Sequence, residues 1–354
     1  MSRGGAQSML VKLTNELADR GGYKQDVVVM FGRNNYEFNP KVAVHYLGMS
    51  KNNNFISSLI EFRSLIKTLG PDVLQSWMYH ANFLAYFSGI RKRKIIFNIR
   101  HSLDDVNNEK RLTRLMITIG SYLSRFVYST VYCSEVSMKQ HYSVGYSKSR
   151  SIYIPNGFDF NKFSPNVKYR TAYRKRLMID DASFVFGSVA RFHPMKNHIG
   201  LIKDFSLLKK ENNCRLVLIG EGVVNREIKQ LIKALKIESK VILLDKKEDI
   251  HKWLPAIDSI VIPSLWGEAF PNVLGESMST EIPCIVSQVG DAPLILGDCG
   301  IVIKSTIHKS MEHMYKLSIE DRRNLGKMAR NRVVTNYSIS NSISKYHDLY
   351  MEII

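Results

Sequence analysis

Short runs of β-branched and other apolar residues alternate with longer amphipathic segments along the whole chain. The runs are almost continuously apolar, which is typical of strands covered by helices on both faces. Strands separated by helices form parallel βαβ units, so the pattern predicts an α/β fold with parallel sheets. The predicted strands cover residues 27–31, 42–46, 95–99, 130–133, 184–189, 215–219, 241–244, 259–262, 284–287 and 301–303.

The alternation lapses near the middle of the chain, where turn-forming residues cluster at Pro155-Asn156-Gly157 and at Ser164-Pro165. We therefore predict two doubly wound domains, 1–163 and 164–335, that face each other across a cleft. Residues 336–354 are expected to form a helix that crosses back to the N-terminal domain. Ligands of such sheets bind beyond the carboxyl ends of the strands, so functional residues are expected there.

Charge and cysteine content narrow the functional classes. Among 354 residues, 50 Lys and Arg oppose 32 Asp and Glu, which gives a formal net charge of +18. This surplus favours a polyanionic partner such as nucleic acid, an anionic membrane or a phosphorylated substrate. The four cysteines are scattered, so they are expected to be reduced in a cytoplasmic protein, without a zinc site. Residues 1–7 contain no apolar signal core, so export is not expected.

Residues 73–90 contain no Asp, Glu, Lys or Arg and precede a basic run at 91–94. Gln75, His80 and Asn82 interrupt this segment, whereas a membrane span needs about 20 mainly apolar residues. We therefore predict a short strand that runs into a helix, with the basic run available to a membrane surface.

The segment 263–276 carries the strongest indication of a site. A strand is predicted to end at Ile262, and after a loop a helix begins near Pro271-Asn272, where proline suits the first turn. The free N–H groups and the dipole at that end of a helix bind phosphate or other anions. Glu268 precedes the helix and Glu276 lies within it, and this context makes the Glu-x7-Glu spacing informative.

Two cations, Arg191 and Lys196, lie just beyond the predicted strand 184–189. Fixed cations beside a helix N-terminus are what a diphosphate leaving group requires, because charge develops on it as the bond breaks. On its own, such a pair in a loop is usually solvated surface charge.

Three weaker signals also lie at strand or helix ends. Gly220-Glu221-Gly222 follows a strand but lacks the third glycine of a dinucleotide fingerprint, so a plain tight turn is the alternative. Gly4-Gly5 opens a helix and allows close approach of a phosphate. Arg100-His101 follows strand 95–99; a histidine there is otherwise structural or merely exposed.

Together these segments resemble one family, the retaining GT-B glycosyltransferases of the Glu-x7-Glu type, glycosyltransferase family 4. The resemblance covers nearly the whole chain and rests on residues 4–7, 154–159, 189–197, 220–222 and 268–276 in the family's order. It implies a hexosyltransferase whose UDP- or GDP-sugar donor binds mostly to the C-terminal domain. The implied acceptor is a lipid-linked glycan of surface polysaccharide biosynthesis, such as O-antigen or lipopolysaccharide, bound mostly by the N-terminal domain on the cytoplasmic face of the membrane.

The resemblance also implies residue roles. Arg191 and Lys196 would hold the diphosphate, Glu268 the hydroxyls of the transferred sugar, and Glu276 the nucleotide ribose, since a carboxylate accepts from two adjacent hydroxyls. His101 would lie near the sugar and the acceptor. The further donor-binding and acceptor-side residues would be Gly4, Gly5, Gly220, Gly222, Phe270, Pro271 and Asn272, with Arg100 on the acceptor side.

The implied mechanism is same-face attack that retains the anomeric configuration, in which the leaving phosphate takes the proton of the acceptor. No enzymic nucleophile is then needed. Because the cations substitute for a metal, we expect neither a metal nor another cofactor.

The sequence departs from the family pattern where the family commonly has glycine, at Ala269, Glu281, Asp245 and Asp291. The first two are expected to alter loop geometry near the donor. No charged anchor is lost, so the departures leave open which donor is used.

Two other classes remain as alternatives. The charge permits a nucleic-acid-binding protein, but the basic residues are spread over both halves rather than forming a stripe with aromatics. A nucleotide-sugar epimerase or a phosphorylase on the same scaffold is the other alternative, because a fold alone does not fix the reaction.

The N-terminal domain carries a candidate membrane-binding helix. Apolar residues repeat at helical spacing and basic residues lie on or beside the opposite face, which predicts docking on an anionic membrane, with an ordinary core-packed helix as the alternative. The apolar residues are Leu112, Leu115, Met116, Ile119, Leu123 and Phe126, and the basic ones are Lys110, Arg111, Arg114 and Arg125.

The start of the chain lacks one expected element. In the resembled family an apolar strand precedes the Gly-Gly-Ala-Gln loop, whereas only Met1-Ser2-Arg3 precede it here. This first strand is central in a sheet of order 3-2-1-4-5. We therefore predict that the strand is missing and that the natural start lies upstream, the alternative being that another segment fills its place.

Overall fold

A computed structural model of the protein describes residues 5–32, 36–49, 55–104, 106–208 and 213–354. The chain divides into two compact units. Unit 1 comprises Met1–Gly157 and Ile339–Ile354, and unit 2 comprises Phe158–Ser338.

Unit 2 is built on one parallel sheet of six strands in the order β12-β11-β10-β7-β8-β9. This is the doubly wound order, in which the strand sequence reverses between β7 and β10. The strands are β7 Phe184–Val189, β8 Cys214–Ile219, β9 Val241–Leu244, β10 Ser259–Ile262, β11 Cys284–Val286 and β12 Gly300–Val302. The helices are α6 Val167–Arg176, α7 His198–Ser206, α8 Arg226–Ala234, α9 Ile250–Trp253, α10 Asn272–Ser279, α11 Ala292–Leu296, α12 Ile307–Lys316 and α13 Ile319–Asn336.

The described strands of unit 1 form two parallel sheets, β1-β2 and β3-β4-β5-β6. That the central first strand of the N-terminal sheet is missing stays a prediction. The strands are β1 Gln25–Phe31, β2 Val42–Met49, β3 Leu74–Trp77, β4 Ile95–Ile99, β5 Ser129–Tyr132 and β6 Ser151–Tyr153. The helices are α1 Gly5–Arg20, α2 Phe55–Leu69, α3 Tyr79–Tyr86, α4 Arg111–Leu123, α5 Glu135–Ser143 and α14 Ile339–Met351.

The C-terminal helix α14 contributes to the core of unit 1. Its buried residues Ile343, Tyr346 and Leu349 pack in one apolar cluster with Leu13 of α1 and Ile96 of β4. Burial of such side chains contributes about 1.5–3 kcal/mol each. The chain therefore enters unit 2 after Gly157 and returns to complete unit 1.

The strand predictions from continuous apolar runs are confirmed, and every predicted run is a strand. Residues 74–86 form β3 and α3. A short strand followed by a helix is what the polar residues within this otherwise apolar segment predicted. None of the described helices combines the length and the apolar character needed to cross a bilayer. The four cysteines are buried and form no disulfide.

Candidate active site

The loops after β7 and β8 are joined by backbone contacts at the carboxyl edge of the unit 2 sheet. Phe192 N donates to Glu221 O at 2.8 Å. A Cβ at Gly220 would lie 1.9 Å from Ala190 O, so only glycine fits there. Gly222 has a φ of +74°, which also favours glycine. Both glycines are needed for this loop geometry, and their contact with a donor stays a prediction.

Lys196 and Glu268 meet at the same edge. Leu265 N donates to Met195 O at 2.8 Å and joins the loop after β10 to the turn after β7. Across this junction Lys196 Nζ donates to Glu268 Oε2, and Ser264 Oγ donates to the same oxygen at 3.1 Å. The side chains of Lys196 and Glu268 are only 18% and 13% exposed. The ion pair is thus held in a fixed position at the strand ends.

A second cation and a histidine extend this cluster. Burial, and then the positive charges of Arg191 and Lys196, lower the pKa of His193. His193 is therefore neutral at pH 7. The arrangement presents positive charge where an anionic ligand of a doubly wound sheet binds.

Helix α10 begins beside the Glu268 loop. Pro271 occupies the N-cap position with φ −72° and ψ 105°, no side chain caps the helix, and Asn272 is its first residue. Helix starts of this kind attract anions through their N–H groups and dipole. Glu276 lies one turn into the helix and is partly buried. The three residues thus belong to one short element that follows Glu268.

The Glu268 loop is also fixed from the side of β11. A Cβ at Gly290 would lie 1.7 Å from Glu268 O, and Gly290 has a φ of +56°. Asp291 N donates to Ala269 O at 2.9 Å. Of the departures from the family pattern, Ala269 is buried, and Glu281 takes a φ of +60°, a conformation that favours glycine.

The ring of Phe270 is part of an aromatic cluster. It stacks on Phe158 with ring centroids 6.1 Å apart and meets the edge of Tyr337 at 5.6 Å. The Phe158 ring in turn occupies the space that a Cβ at Gly275 would need. Since Phe270 is buried in this cluster, its packing favours a structural role, and the donor-binding role that the family resemblance implies stays a prediction.

In unit 1, His101 follows β4 in a loop that is pinned to α5. Ser137 Oγ donates to His101 O at 2.5 Å, and Leu103 N donates to Gln140 Oε1 at 2.8 Å. The His101 ring is held separately, with Nε2 2.6 Å from Glu109 Oε1. The hydrogen bond from His101 lowers the pKa of Glu109 against the opposing effect of burial.

Arg100 is engaged by its own unit. Its Nε donates to Asn98 Oδ1 at 3.0 Å, and its terminal nitrogens donate to Asn156 Oδ1 and, at 2.6 Å, to Tyr346 OH. The guanidinium also lies 4.5 Å from the centre of the Trp77 ring. These contacts join β4 to α14 and favour a structural role; the acceptor-side role stays a prediction.

The glycine pair at the front of the chain is described only in part. Gly5 is the first residue of α1, as the predicted helix start requires. Gly4 lies outside the described residues.

Sequence reasoning missed three side chains that support the predicted ones: Ser264 beneath Glu268, Glu109 beside His101, and His193 between two cations. His193 lies between Arg191 and Lys196 in the sequence, and this closeness to the two predicted cations could have identified it. No sequence signal pairs Glu109 with His101. In the part of the chain that the structure describes, no group of three or more His, Cys, Asp or Glu side chains is arranged to hold a metal ion.

Comparison with known proteins now identifies the class. Residues 3–162 match the family described as "Glycosyltransferase Family 4", and residues 170–332 match "Glycosyl transferases group 1". The structure is similar to that of Anabaena HepE in complex with UDP and glucose, with a TM-score of 0.82, 16% identity, and coverage of 98% of this chain and 96% of that one. The protein is therefore a glycosyltransferase of the GT-B fold. Within that fold it belongs with the family 4-like enzymes.

Two curated relatives share part of the sequence. An Escherichia coli UDP-Gal:alpha-D-GlcNAc-diphosphoundecaprenol alpha-1,3-galactosyltransferase is 29% identical over 209 residues, 57% of this chain and 54% of that enzyme. A Campylobacter jejuni N-acetylgalactosamine-N,N'-diacetylbacillosaminyl-diphospho-undecaprenol 4-alpha-N-acetylgalactosaminyltransferase is 23% identical over 354 residues, 95% of this chain and 92% of that enzyme. The chain thus matches about half the length of the first relative and most of the second.

Proposed function

We propose that the protein is a retaining, metal-independent glycosyltransferase that moves a hexose from a nucleotide-diphosphate sugar to a lipid-linked glycan in bacterial surface polysaccharide assembly. The observation that carries this proposal is the Lys196–Glu268 pair, held by Ser264 beside Arg191 at the carboxyl edge of the unit 2 sheet. UDP is the favoured nucleotide, since a structural neighbour binds UDP and a relative is named for UDP-Gal. Both relatives are named for acceptors on diphospho-undecaprenol, which supports the lipid-linked acceptor.

The ion pair suggests how the donor is received. When a donor binds, Lys196 would turn from Glu268 to the diphosphate, and Glu268 would accept hydrogen bonds from hydroxyls of the transferred sugar. Arg191 would share the diphosphate charge, the α10 N-terminus would face a phosphate, and Glu276 would hold the ribose. Exchange of one anionic partner of Lys196 for another keeps the ammonium compensated.

The reaction would then proceed on one face of the sugar. The bond from the acceptor oxygen to the anomeric carbon forms as the bond from that carbon to the diphosphate oxygen breaks. The acceptor's proton passes to the departing phosphate oxygen. Lys196 and Arg191 would stabilise the charge that develops there, a contribution of about 10²–10³ in rate for one such donor group.

The experiment begins with a thermal-shift panel of UDP-, GDP- and ADP-sugars, because a ligand that binds the native state raises its stability. The stabilising donor is then used with its sugar labelled, with and without an undecaprenyl-diphosphate-linked glycan. We expect label in the lipid fraction only with the acceptor present, at an unchanged anomeric configuration and in the presence of EDTA. A modified or released sugar that forms without acceptor would instead indicate an epimerase or a phosphorylase.

We also propose that helix α4 docks the protein on the cytoplasmic face of an anionic membrane. Leu112 and Leu115 are 59% and 52% exposed, Tyr122 is exposed on the same helix, and Phe126 is exposed just beyond its C-terminal end. The helix contains no acidic residue. Basic residues near an anionic surface contribute about 1 kcal/mol each, so charge complementarity selects an anionic bilayer as the partner. The flanking basic residues are Lys110, Arg111, Arg114 and Arg125.

The structure shows that only some of the apolar residues predicted to face the membrane are exposed. Leu123 is buried and packs in the core of unit 1, and Met116 and Ile119 are partly buried against it. These residues follow the core-packed alternative, whereas Leu112 and Leu115 point away from the core. Helix α4 therefore packs on the core through one part of its apolar surface and would contact the membrane through the other part.

Liposome sedimentation tests the docking. We expect binding to anionic vesicles at low salt, loss at high salt, and weak binding to neutral vesicles. The double variant Leu112→Ser, Leu115→Ser should release the protein, while Ile319→Ser, at a residue similarly exposed on α13 of unit 2, should not. Equal binding to neutral and anionic vesicles would contradict the electrostatic part, and equal binding of both variants would contradict the role of α4.

A further inference from the structure

The ring of His101 is held through one of its two nitrogens. Nε2 lies 2.6 Å from Glu109 Oε1, and both side chains are partly buried. A carboxylate only accepts hydrogen bonds, so Nε2 must carry the hydrogen. In the neutral ring Nδ1 is then the acceptor, and within the described part of the chain Nδ1 has no hydrogen-bond partner.

Of the titratable groups described here around the His101 ring, Glu109 is the one that carries a charge and contacts the ring. Tyr79 of α3 faces the ring edge-on with centroids 6.4 Å apart, and burial raises its pKa well above the usual value. His141 of α5 is buried behind Tyr79, and burial lowers its pKa to about 4. Both groups are therefore neutral at pH 7, whereas the hydrogen bond from His101 favours the ionised form of Glu109.

The backbone of this loop is fixed independently of Glu109. Ser137 Oγ donates to His101 O at 2.5 Å, and Gln140 Oε1 accepts from Leu103 N at 2.8 Å and from Ser102 Oγ at 2.7 Å. Removal of the Glu109 carboxylate would therefore free the ring while leaving the loop attached to α5. A change in ring orientation can thus be separated from a change in the fold.

We propose that Glu109 is a positioning residue for sugar transfer: it fixes the proton of His101 on Nε2 and so presents Nδ1 as an acceptor for a substrate hydroxyl. The inference rests on the proposed function and on the place that the family resemblance implies for His101, near the transferred sugar and the acceptor. A wrong tautomer would offer a donor where the hydroxyl needs an acceptor. Carboxylates that orient histidines in this manner contribute about 10–100-fold in the metal sites where they have been measured.

The test compares Glu109→Ala, Glu109→Gln and Glu109→Asp with Glu61→Gln, which removes an exposed carboxylate of the same unit. Nitrogen-15 NMR of the histidine rings, recorded on the substrate-free protein, should show the Nε2–H form of His101 in the wild type and a mixture of tautomers in Glu109→Ala. Glu109→Gln, whose amide oxygen still accepts from Nε2, should retain most of the wild-type preference.

Kinetics with the donor and acceptor give the second readout. We expect Glu109→Ala to lower kcat by about tenfold or more with little change in the donor KM. Glu109→Asp should recover part of the rate, and Glu61→Gln should match the wild type. An unchanged tautomer or an unchanged kcat in Glu109→Ala overturns the inference.

The two failures remain distinguishable. A chain that transfers no sugar under any condition would overturn the proposed function, and with it the role of Glu109 in transfer, while the NMR readout would still decide whether Glu109 fixes the ring. If the wild type transfers sugar normally and Glu109→Ala has an unchanged kcat, only the positioning role is overturned. Circular dichroism of each variant checks that the fold is retained.

Discussion

Two ion pairs flank strand β10, and they differ in how completely the fold uses the cation. Before the strand, Arg174 is 1% exposed and donates to Asp258 Oδ2 and to the carbonyl oxygens of Ala256 and Ser183. After the strand, Lys196 is held by Glu268 at the carboxyl edge of the sheet. Both pairs lie within unit 2, but Arg174 is enclosed by several acceptors, whereas the proposed function has Lys196 exchange Glu268 for the diphosphate of a donor. The proposal therefore treats Arg174 as a structural charge and Lys196 as a functional one.

The largest effect is expected at the structural pair. Asp258→Ala leaves the buried guanidinium of Arg174 uncompensated and also removes the acceptor for Val185 N at 2.7 Å. Breaking such a pair costs about 3–5 kcal/mol, which denaturant unfolding would measure. Glu268→Ala is the matched control and should cost clearly less, because the Lys196 side chain keeps 18% of its surface exposed and can turn to water, whereas Arg174 keeps 1%. Equal losses in both variants would remove the distinction between the pairs.

The same contrast extends to the histidines of unit 1, since His141 is buried and internally bonded while His101 is partly exposed. His141 Nδ1 lies 2.7 Å from Ser137 O and must donate to it, so Nε2 accepts from Tyr79 OH at 2.9 Å. Burial lowers the pKa of His141 to about 4. In the unfolded chain His141 therefore binds a proton near pH 6.5, whereas in the folded chain it stays unprotonated down to about pH 4.

Stability from this group is fully present above pH 6.5 and is lost as the pH falls toward 4, by about 3 kcal/mol in all. Unfolding measured between pH 7 and 4.5 should show the decline, and His141→Asn should flatten it relative to the wild type. A His141 ring that titrates near 6.5 by NMR would contradict the expectation.

In the proposed donor site, Glu276→Ala should weaken donor binding while leaving kcat at saturating donor close to the wild-type value. A carboxylate that accepts from ribose hydroxyls contributes about 1.5–3 kcal/mol, so the donor Kd should rise at least tenfold. Calorimetric titration with the stabilising nucleotide measures this. A rate defect at unchanged affinity would argue against the ribose role.

The smallest effect concerns backbone strain near the site. Glu281 has a φ of +60°, and its carbonyl oxygen lies 2.2 Å from where a Cβ at Gly326 would stand, so the turn is closely packed. Glu281→Gly removes a strain of about 1–2 kcal/mol and loses part of that gain to unfolded-state entropy. We expect a net stabilisation of about 0.5–1 kcal/mol in thermal unfolding. Destabilisation would show that the Glu281 side chain compensates for its conformation.

The sequence predicted the strands well because buried parallel strands are nearly continuous apolar runs. It missed Ser151–Tyr153, which is only three residues long and partly exposed. Lys196 and Glu268 were each predicted, but their contact depends on how β7 and β10 align and on the bond from Leu265 to Met195. Helical spacing alone also could not show that Leu123 faces the core while Leu115 does not, because both lie on the same apolar arc.

The most direct measurement is the turnover of Lys196→Ala with labelled donor and lipid-linked acceptor, beside Arg191→Ala and the exposed-lysine control Lys233→Ala. We predict a loss of at least ~10²-fold for Lys196→Ala and for Arg191→Ala, the scale of one lost charge-stabilising group. Lys233→Ala should keep the wild-type rate, and circular dichroism should show that all three variants retain the native fold. Near-wild-type turnover by both Lys196→Ala and Arg191→Ala would contradict the assignment of the diphosphate to this edge of unit 2.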